Sequence, residues 1–100
     1  MSCYFMVDTY IDEKKGRGEY DAYIAAVKPI VESFGGVYLV RSDEVEALGP
    51  GRTPQRVIVI RFACRADLDA CFSSPEYREI MAKRAQSVDA RAVIVEGCAE

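Results

Sequence analysis

The chain has 100 residues, of which 50% are apolar and 29% are charged, as is ordinary for one soluble globular domain. Its net charge of -3 argues against a nucleic-acid partner, because contacts to phosphate groups need a surplus of basic residues. No apolar run approaches the roughly 20 residues of a membrane helix, and no signal-peptide pattern opens the chain. We therefore expect a cytoplasmic protein without a membrane partner.

The first half of the chain predicts a strand, a helix and a second strand. Residues 3–11 are aromatic and β-branched, which favours a strand, and the polar residues 12–19 follow as a loop. Apolar residues over 20–34 recur with the spacing of one helical face, and a glycine pair is suited to end that helix. Pro29 lies inside it and predicts a kink or a weakened turn. Residues 37–41 form the second predicted strand.

The second half predicts a strand, a broken helix and a last strand. Residues 56–62 are rich in valine and isoleucine and follow a turn that contains glycine and proline. Residues 66–72 place apolar side chains on one helical face. The helix bends or restarts at residues 74–75 and continues to Ala85, and residues 90–97 form the last strand.

This order, β-α-β-β-α-β, is typical of the ferredoxin-like fold of the α+β class. The first and third strands should be neighbours, which gives an antiparallel sheet in the order 4-1-3-2. No linker or low-complexity segment divides the chain. We expect a single domain over residues 1–100.

The strands do not alternate between apolar and polar residues, as strands with one wet face do. The sequences VYLV, VIVI and AVIV indicate that both faces of the sheet are buried. Because two helices can cover only one face, a second copy of the chain is the expected partner for the other. We predict a homodimer whose sheets pack face to face. The alternative is that loops or long side chains cover the second face.

The stretch SPEY at residues 74–77 combines features of a helix start. Ser74 is suited to accept a hydrogen bond from the amide of residue 76 or 77, and Pro75 fits the first helical position. Glu76 complements the helix dipole. A structural role is therefore the favoured interpretation, although Tyr77 could also direct its phenol into a cavity between helix and sheet.

Three stretches in this order carry a resemblance to a known family. The sequence GGVYLVR, then PQRVIVIRF, then SPEY followed by REIMAKR resembles the domain-of-unknown-function family 1330, over residues 4–97. This resemblance implies membership of the dimeric α+β barrel superfamily. That superfamily includes cofactor-free oxygenases, haem-degrading enzymes, isomerases and ligand-binding proteins, so the resemblance implies the fold and the dimer but no single activity.

The predicted topology gathers polar side chains at one end of the sheet. They are Asp8, Tyr10, Arg41 and Arg56, with Tyr20 at the start of the first helix and Arg84 at the end of the second. Arg41 and Arg56 could bind a carboxylate in bidentate fashion, and Tyr10 or Tyr20 could stack on a ring or donate a hydrogen bond. Asp8 is a weak candidate for a general base.

An ordinary structural role for the same charges is equally open. Arg41 or Arg56 could pair with Asp8 or Glu44 at the surface, where such pairs contribute roughly 0–1 kcal/mol. The candidate ligand-binding residues are thus Arg41, Arg56, Tyr10, Tyr20 and Tyr77, and no catalytic residue is assigned beyond the weak candidate Asp8.

Histidine is absent, which removes the commonest general base and the usual ligand of zinc and haem. No two of the four cysteines have the C-x2-C spacing of a zinc or redox motif. We therefore expect no metal and no cofactor. Cys3 and Cys98 fall at one end of neighbouring strands, where a disulfide is conceivable, but free thiols are the favoured interpretation.

Three functions remain open at this point. The leading hypothesis is a homodimer that binds a small apolar or aromatic acid between sheet and helices. The second is a cofactor-independent oxygenase or isomerase acting on a small aromatic or unsaturated acid, since these chemistries require neither metal nor histidine. The third is an interaction protein without a pocket. A closed cavity lined by arginine favours the first, and the loss of any cavity favours the third.

Overall fold

The computed structural model describes residues 1–12, 14, 16, 18–85 and 87–98, so that three positions of the predicted loop over 12–19 lie outside it. The elements are β1 (Cys3–Tyr10), α1 (Tyr20–Ser33), β2 (Val37–Ser42), β3 (Arg56–Phe62), α2 (Arg65–Phe72), α3 (Pro75–Ala85) and β4 (Asp89–Glu96). The strands form one antiparallel sheet in the order β2-β3-β1-β4. The predicted ferredoxin-like topology is confirmed.

Helix α1 forms where the apolar spacing predicted it. Tyr20, Tyr23, Val27 and Val31 are buried and follow one helical face, which packs on the sheet. The helix ends at a glycine pair: Gly35 has a φ of 86°, and the amide of Gly36 donates to the carbonyl of Val31 at 2.9 Å. Glycine adopts this left-handed conformation without the steric penalty of a side chain, which explains the stop.

Ser74 divides the second helical region into α2 and α3. Its Oγ accepts a hydrogen bond from the amide of Tyr77 at 3.2 Å and donates to the carbonyl of Cys71 at 2.6 Å. Ser74 thus caps α3 and closes the end of α2 with the same hydroxyl, and Pro75 occupies the first helical position. The predicted helix start at SPEY is confirmed.

The core lies between the helices and one face of the sheet, which we call the inner face. Alternate residues of β1 and β3 point to it, because successive side chains of a strand point to opposite faces. The buried side chains of the inner face are Cys3, Val7, Thr9, Ile58, Ile60 and Phe62. Helices α1, α2 and α3 add Val31, Leu68 and Tyr77 to the same core.

The opposite face of the sheet, which we call the outer face, is apolar and uncovered. It includes Tyr4, Met6, Val37, Val40, Val57, Val59, Val93 and Val95, with Asp8, Tyr10, Arg61, Asp89 and Arg91 toward its ends. Val93 is 58% exposed and Val37 is 53% exposed. The prediction that both faces are apolar is confirmed, and one protomer covers only the inner one.

Candidate functional site

A small cavity lies between α1 and the inner face of the sheet. Its walls are apolar and aromatic apart from one threonine, three tyrosine hydroxyls and one arginine. The lining residues are Phe5, Val7, Thr9, Tyr20, Tyr23, Ile24, Val27, Val31, Tyr38, Ile58, Ile60, Phe72 and Arg84. The free volume is about 30 Å³, which is room for one or two water molecules.

Tyrosines from two helices meet at the cavity. Tyr20 and Tyr23 lie in the first turn of α1, and Tyr77 lies in the first turn of α3. The hydroxyls of Tyr23 and Tyr77 are 3.1 Å apart and form a buried hydrogen bond, while the Tyr20 hydroxyl lies 3.5 Å from Oγ1 of Thr9. The phenol of Tyr77 therefore does point between helix and sheet. It does not line the cavity itself but forms a hydrogen bond with Tyr23, which does.

Two of the tyrosines have perturbed acidity. Burial raises the pKa of Tyr23 far above its ordinary value, the neighbouring Tyr77 raises it further, and Arg84 opposes the shift. Burial also raises the pKa of Tyr38 to about 12, against the influence of Arg41. Both phenols are therefore neutral at physiological pH, and they can donate hydrogen bonds but cannot act as bases.

Arg84 brings a positive charge to the cavity. It lies in the last turn of α3, two helical turns after Tyr77 and on the same helical face. Its Cζ lies 6.0 Å from the ring centroid of Tyr23, and its Nε is buried without a hydrogen-bond partner. An unpaired buried donor costs about 1–3 kcal/mol, and more when it is charged, so an orphaned guanidinium nitrogen is unusual.

Arg56 and Arg41 stack on two other tyrosines of the cavity wall. Cζ of Arg56 lies 5.8 Å from the ring centroid of Tyr20, and Cζ of Arg41 lies 5.6 Å from that of Tyr38. Arg56 also binds Asp43 through Nε and Nη2, at 2.5 and 3.2 Å, and this carboxylate raises the pKa of Arg56. Neither arginine lines the cavity itself; both cover residues that do.

Asp8 and Tyr10 lie at the same end of the sheet as the two arginines but on its outer face. Asp8 accepts hydrogen bonds from Nε and Nη2 of Arg52 at 2.5 and 2.7 Å. The ring of Tyr10 lies 4.4 Å from Cζ of Arg91. Within one protomer, neither can touch a ligand in the cavity, since the parity of β1 directs Thr9 inward and its two neighbours outward.

The structure thus separates the predicted site residues into two groups. Tyr20, Tyr77, Arg41 and Arg56 surround the cavity, whereas Asp8 and Tyr10 do not. Sequence reasoning placed Arg84 at this end of the sheet without giving it a role. The two-turn spacing between Tyr77 and Arg84 was the signal that could have placed both on the cavity side of one helix.

The four cysteines are free thiols. Cys3 is buried, Cys98 is exposed, and neither forms a disulfide among the described residues. Burial raises the pKa of Cys71 to about 11, so this thiol stays protonated. Within the described part of the chain, no group of carboxylate, thiol or imidazole side chains could hold a metal, and no helix has the length and hydropathy to cross a membrane.

A second concavity lies beside the outer face. It is formed mainly by the connection between β2 and β3, from Val45 to Pro54, together with Val57, and its volume is about 510 Å³. Leu48 in this connection is 96% exposed. An open groove of this kind, next to an uncovered apolar sheet, extends the surface on which another protein chain could pack.

Comparison with known structures supports the fold over the full length of the chain. The structure resembles RPA0582, a protein of unknown function from Rhodopseudomonas palustris, with a TM-score of 0.77 and 18% identity over 99% of this chain and 84% of that one. It also resembles a dimeric ferredoxin-like protein of unknown function from Thermobifida fusca, with a TM-score of 0.63 and 14% identity over 95% of this chain and 90% of that one.

A third similar structure has a described activity. SnoaB, a cofactor-independent oxygenase from Streptomyces nogalater, has a TM-score of 0.62 and 5% identity over 99% of this chain and 93% of that one. At this identity the likeness shows a shared fold and nothing about activity. No curated protein matches the sequence.

A family model settles the relationship that the sequence suggested. The model of the family described as Domain of unknown function (DUF1330) matches residues 2–98. The match spans nearly the whole chain and includes every strand and helix described above. The chain therefore belongs to the DUF1330 family.

Proposed function

We propose that this protein is a homodimer that binds a small apolar or aromatic acid in the cavity between its sheet and its helices. The observation that carries this proposal is a set of three arginines stacked on three tyrosines around an apolar space. Arg41, Arg56 and Arg84 lie 5.6 to 6.0 Å from the rings of Tyr38, Tyr20 and Tyr23. A positive rim around an apolar interior suits a ligand with an apolar body and an anionic group.

Binding is favoured over acid–base catalysis by the composition of the cavity wall. The described lining residues include no carboxylate, and burial raises the pKa of Tyr23 and of Tyr38, so that these two phenols keep their protons at neutral pH. Asp8, the one carboxylate considered as a base, is held by Arg52 on the other face of the sheet. A wall whose polar groups are hydroxyls and one guanidinium can donate hydrogen bonds to an anion but offers no carboxylate to take a proton from it.

The ligand must widen the cavity to enter. A free volume of about 30 Å³ is far below the ~300 Å³ or more of typical ligand sites. The half-buried ring of Tyr38 lies on the edge strand β2, where it can move aside without disturbing the centre of the sheet. Ligand binding should therefore change the environment of tyrosine side chains.

The homodimer is supported by the outer face. Its exposed valines form an apolar surface of the kind that soluble monomers rarely leave open. Similar structures with this fold are described as dimeric. Packing the outer faces of two copies against each other buries these valines and the groove beside them. A cytoplasmic location is proposed on the ground that all four cysteines are free.

A second candidate function is a cofactor-independent enzyme acting on a small aromatic or unsaturated acid. The observation that favours it is the buried hydroxyl pair of Tyr23 and Tyr77, which could stabilise charge that develops on a bound substrate. Oxygen uptake with electron-rich phenolic acids tests this candidate, and uptake no faster than in buffer would exclude the oxygenase.

The binding proposal is tested with benzoate as the probe. The chain has six tyrosines and no tryptophan, so its intrinsic fluorescence reports on tyrosine alone. We expect saturable fluorescence changes and a rise in the melting temperature of about 5 °C or more at ten times Kd. The absence of both effects with benzoate and with a broad set of small carboxylic acids would contradict the proposal.

A further inference from the structure

One polar atom of the cavity wall has no hydrogen-bond partner among the residues that the structure describes. Among the described residues, Nε of Arg84 is the single buried side-chain nitrogen or oxygen without a hydrogen-bond partner. Buried polar groups are almost always paired, and an exception calls for an explanation such as a missing ligand. Because Arg84 lines the cavity, a ligand in the cavity could supply the missing hydrogen-bond partner.

Three carboxylates at this end of the sheet lie against other cations. Asp43 binds Arg56, and Asp8 binds Arg52 on the outer face. Glu19 lies 3.9 Å from Lys83, the residue before Arg84. Among the described residues Arg84 forms no ion pair, and its guanidinium lies over the ring of Tyr23. Arg84 is therefore a cation at the cavity for which the described residues supply no counter-ion.

The hydroxyl pair beside Arg84 adds a second donor. When Tyr23 and Tyr77 share one hydrogen bond, one hydroxyl donates and the other accepts, so one of their two protons is left to bind another group. Tyr23 lines the cavity and lies under the guanidinium of Arg84. When Tyr77 donates within the pair, the free proton is that of Tyr23, and the raised pKa of Tyr23 keeps it in place at neutral pH.

We infer that Arg84 receives the carboxylate of the ligand on Nε, that Tyr23 donates a second hydrogen bond to it, and that the ligand is an aromatic monocarboxylate. This inference rests on the proposed function and names the anchor for it. Arg84 is the one cationic side chain among the described lining residues, so the wall suits a ligand with one carboxylate better than a phosphate or a dicarboxylate, which brings a second negative charge. The rest of the ligand is expected to be an aromatic ring, because aromatic and branched apolar side chains make up the remainder of the cavity wall.

Arg41 and Arg56 have a different role under this inference. They cover Tyr38 and Tyr20 from outside the cavity, and Asp43 already neutralises Arg56. They attract an anion toward the opening and do not hold it. The arginine that contacts the carboxylate is therefore Arg84 of α3, and not Arg41 or Arg56 at the strand ends.

The experiment compares benzoate with benzamide, which has the same ring without the charge, by tyrosine fluorescence and calorimetric titration. In the wild-type protein, benzoate should bind at least tenfold more tightly than benzamide. Arg84→Met keeps an apolar stem and removes the donor, and we expect it to weaken benzoate binding by roughly 10- to 100-fold while benzamide changes little. Arg78→Met is the matched control, since Arg78 is exposed on the same helix, and it should behave like the wild type.

The outcomes separate the two proposals. Benzoate binding by the wild type, with equal affinity in Arg84→Met or with no preference over benzamide, would overturn the role of Arg84 and leave a ligand-binding cavity standing. No binding of either compound to the wild type would overturn the assigned aromatic monocarboxylate, and the same result with the broad set of small carboxylic acids would overturn the proposed function as well. If Arg84→Met does not fold by circular dichroism, Arg84→Lys decides: it keeps the charge but lacks Nε, and full benzoate affinity in this variant would refute the assigned contact.

Discussion

The two faces of the sheet are built from the same strands, but their apolar side chains are covered to different extents. The inner face is buried under three helices, and almost every polar group there has a partner within the chain. The outer face is as rich in valine but has no cover of its own, and its charged pairs lie toward the ends of the strands. The comparison teaches that one face is completed by folding, whereas the other stays exposed in one protomer and is the surface that the proposed homodimer would bury.

The largest expected effect comes from placing a charge on the outer face. Val93→Asp puts a carboxylate on the surface that the proposed dimer buries, and an unpaired buried charge costs roughly 3–5 kcal/mol. In a monomer this position is mostly exposed, so the aspartate should have little effect on the stability of the single protomer. We expect the wild type to sediment as a dimer at micromolar concentration and Val93→Asp to shift to monomer.

Ala25→Asp on the exposed face of α1 is the control for this experiment, and it should remain dimeric. A folded wild-type monomer at micromolar concentration, or dissociation by both variants alike, would remove the distinction between the two faces.

The inner face is tested through its hydroxyl pair. Tyr23→Phe leaves the Tyr77 hydroxyl buried without its partner, which costs about 1–3 kcal/mol, and Tyr77→Phe has the converse effect. The double variant removes both polar groups and should cost less than the sum of the single variants. Chemical unfolding of the four proteins measures the coupling, and strict additivity would show that the pair contributes nothing.

The cap of α3 is expected to have a smaller effect. Ser74→Ala removes the hydroxyl that binds the amide of Tyr77 and the carbonyl of Cys71, and should lower the free energy of unfolding by about 1 kcal/mol. Because α3 carries Tyr77 and Arg84 to the inner face, benzoate affinity should fall as well. Ser73→Ala, one residue earlier and exposed, should leave both quantities nearly unchanged.

The smallest expected effect is a decrease in the free energy of unfolding at alkaline pH, caused by Tyr38 of the inner face. The pKa of Tyr38 is raised from 10 to about 12 by burial. The unfolded chain therefore loses this proton first, so the contribution is complete below pH 10 and is lost as the pH rises toward 12. After allowance for the partial exposure of the ring, we expect about 1 kcal/mol. Unfolding curves at pH 9, 10 and 11 should show a shallower decline for Tyr38→Phe, and an unchanged decline would contradict the assignment.

Much of the fold could be predicted because its signals are local. The spacing of Tyr20, Tyr23, Val27 and Val31 specifies α1 through the helical period alone, and the SPEY stretch contains its own cap. The candidate site was only half predicted. Tyr20, Arg41 and Arg56 lie around the cavity, but Asp8 and Tyr10 point away from it, and the partners Asp43 and Arg52 were not predicted.

By itself, the amino-acid sequence determined the order of the elements, the ferredoxin-like topology and the presence of apolar residues on both faces of the sheet. These follow from periodicity, turn chemistry and the two-residue alternation of strands, which act over a few residues. Only the tertiary structure decided which carboxylate neutralises which arginine, and among the described residues it gives the Nε of Arg84 no partner. Ion pairs and cavities depend on side chains that are distant in the chain and meet only when helices pack on the sheet, so no local pattern specifies them.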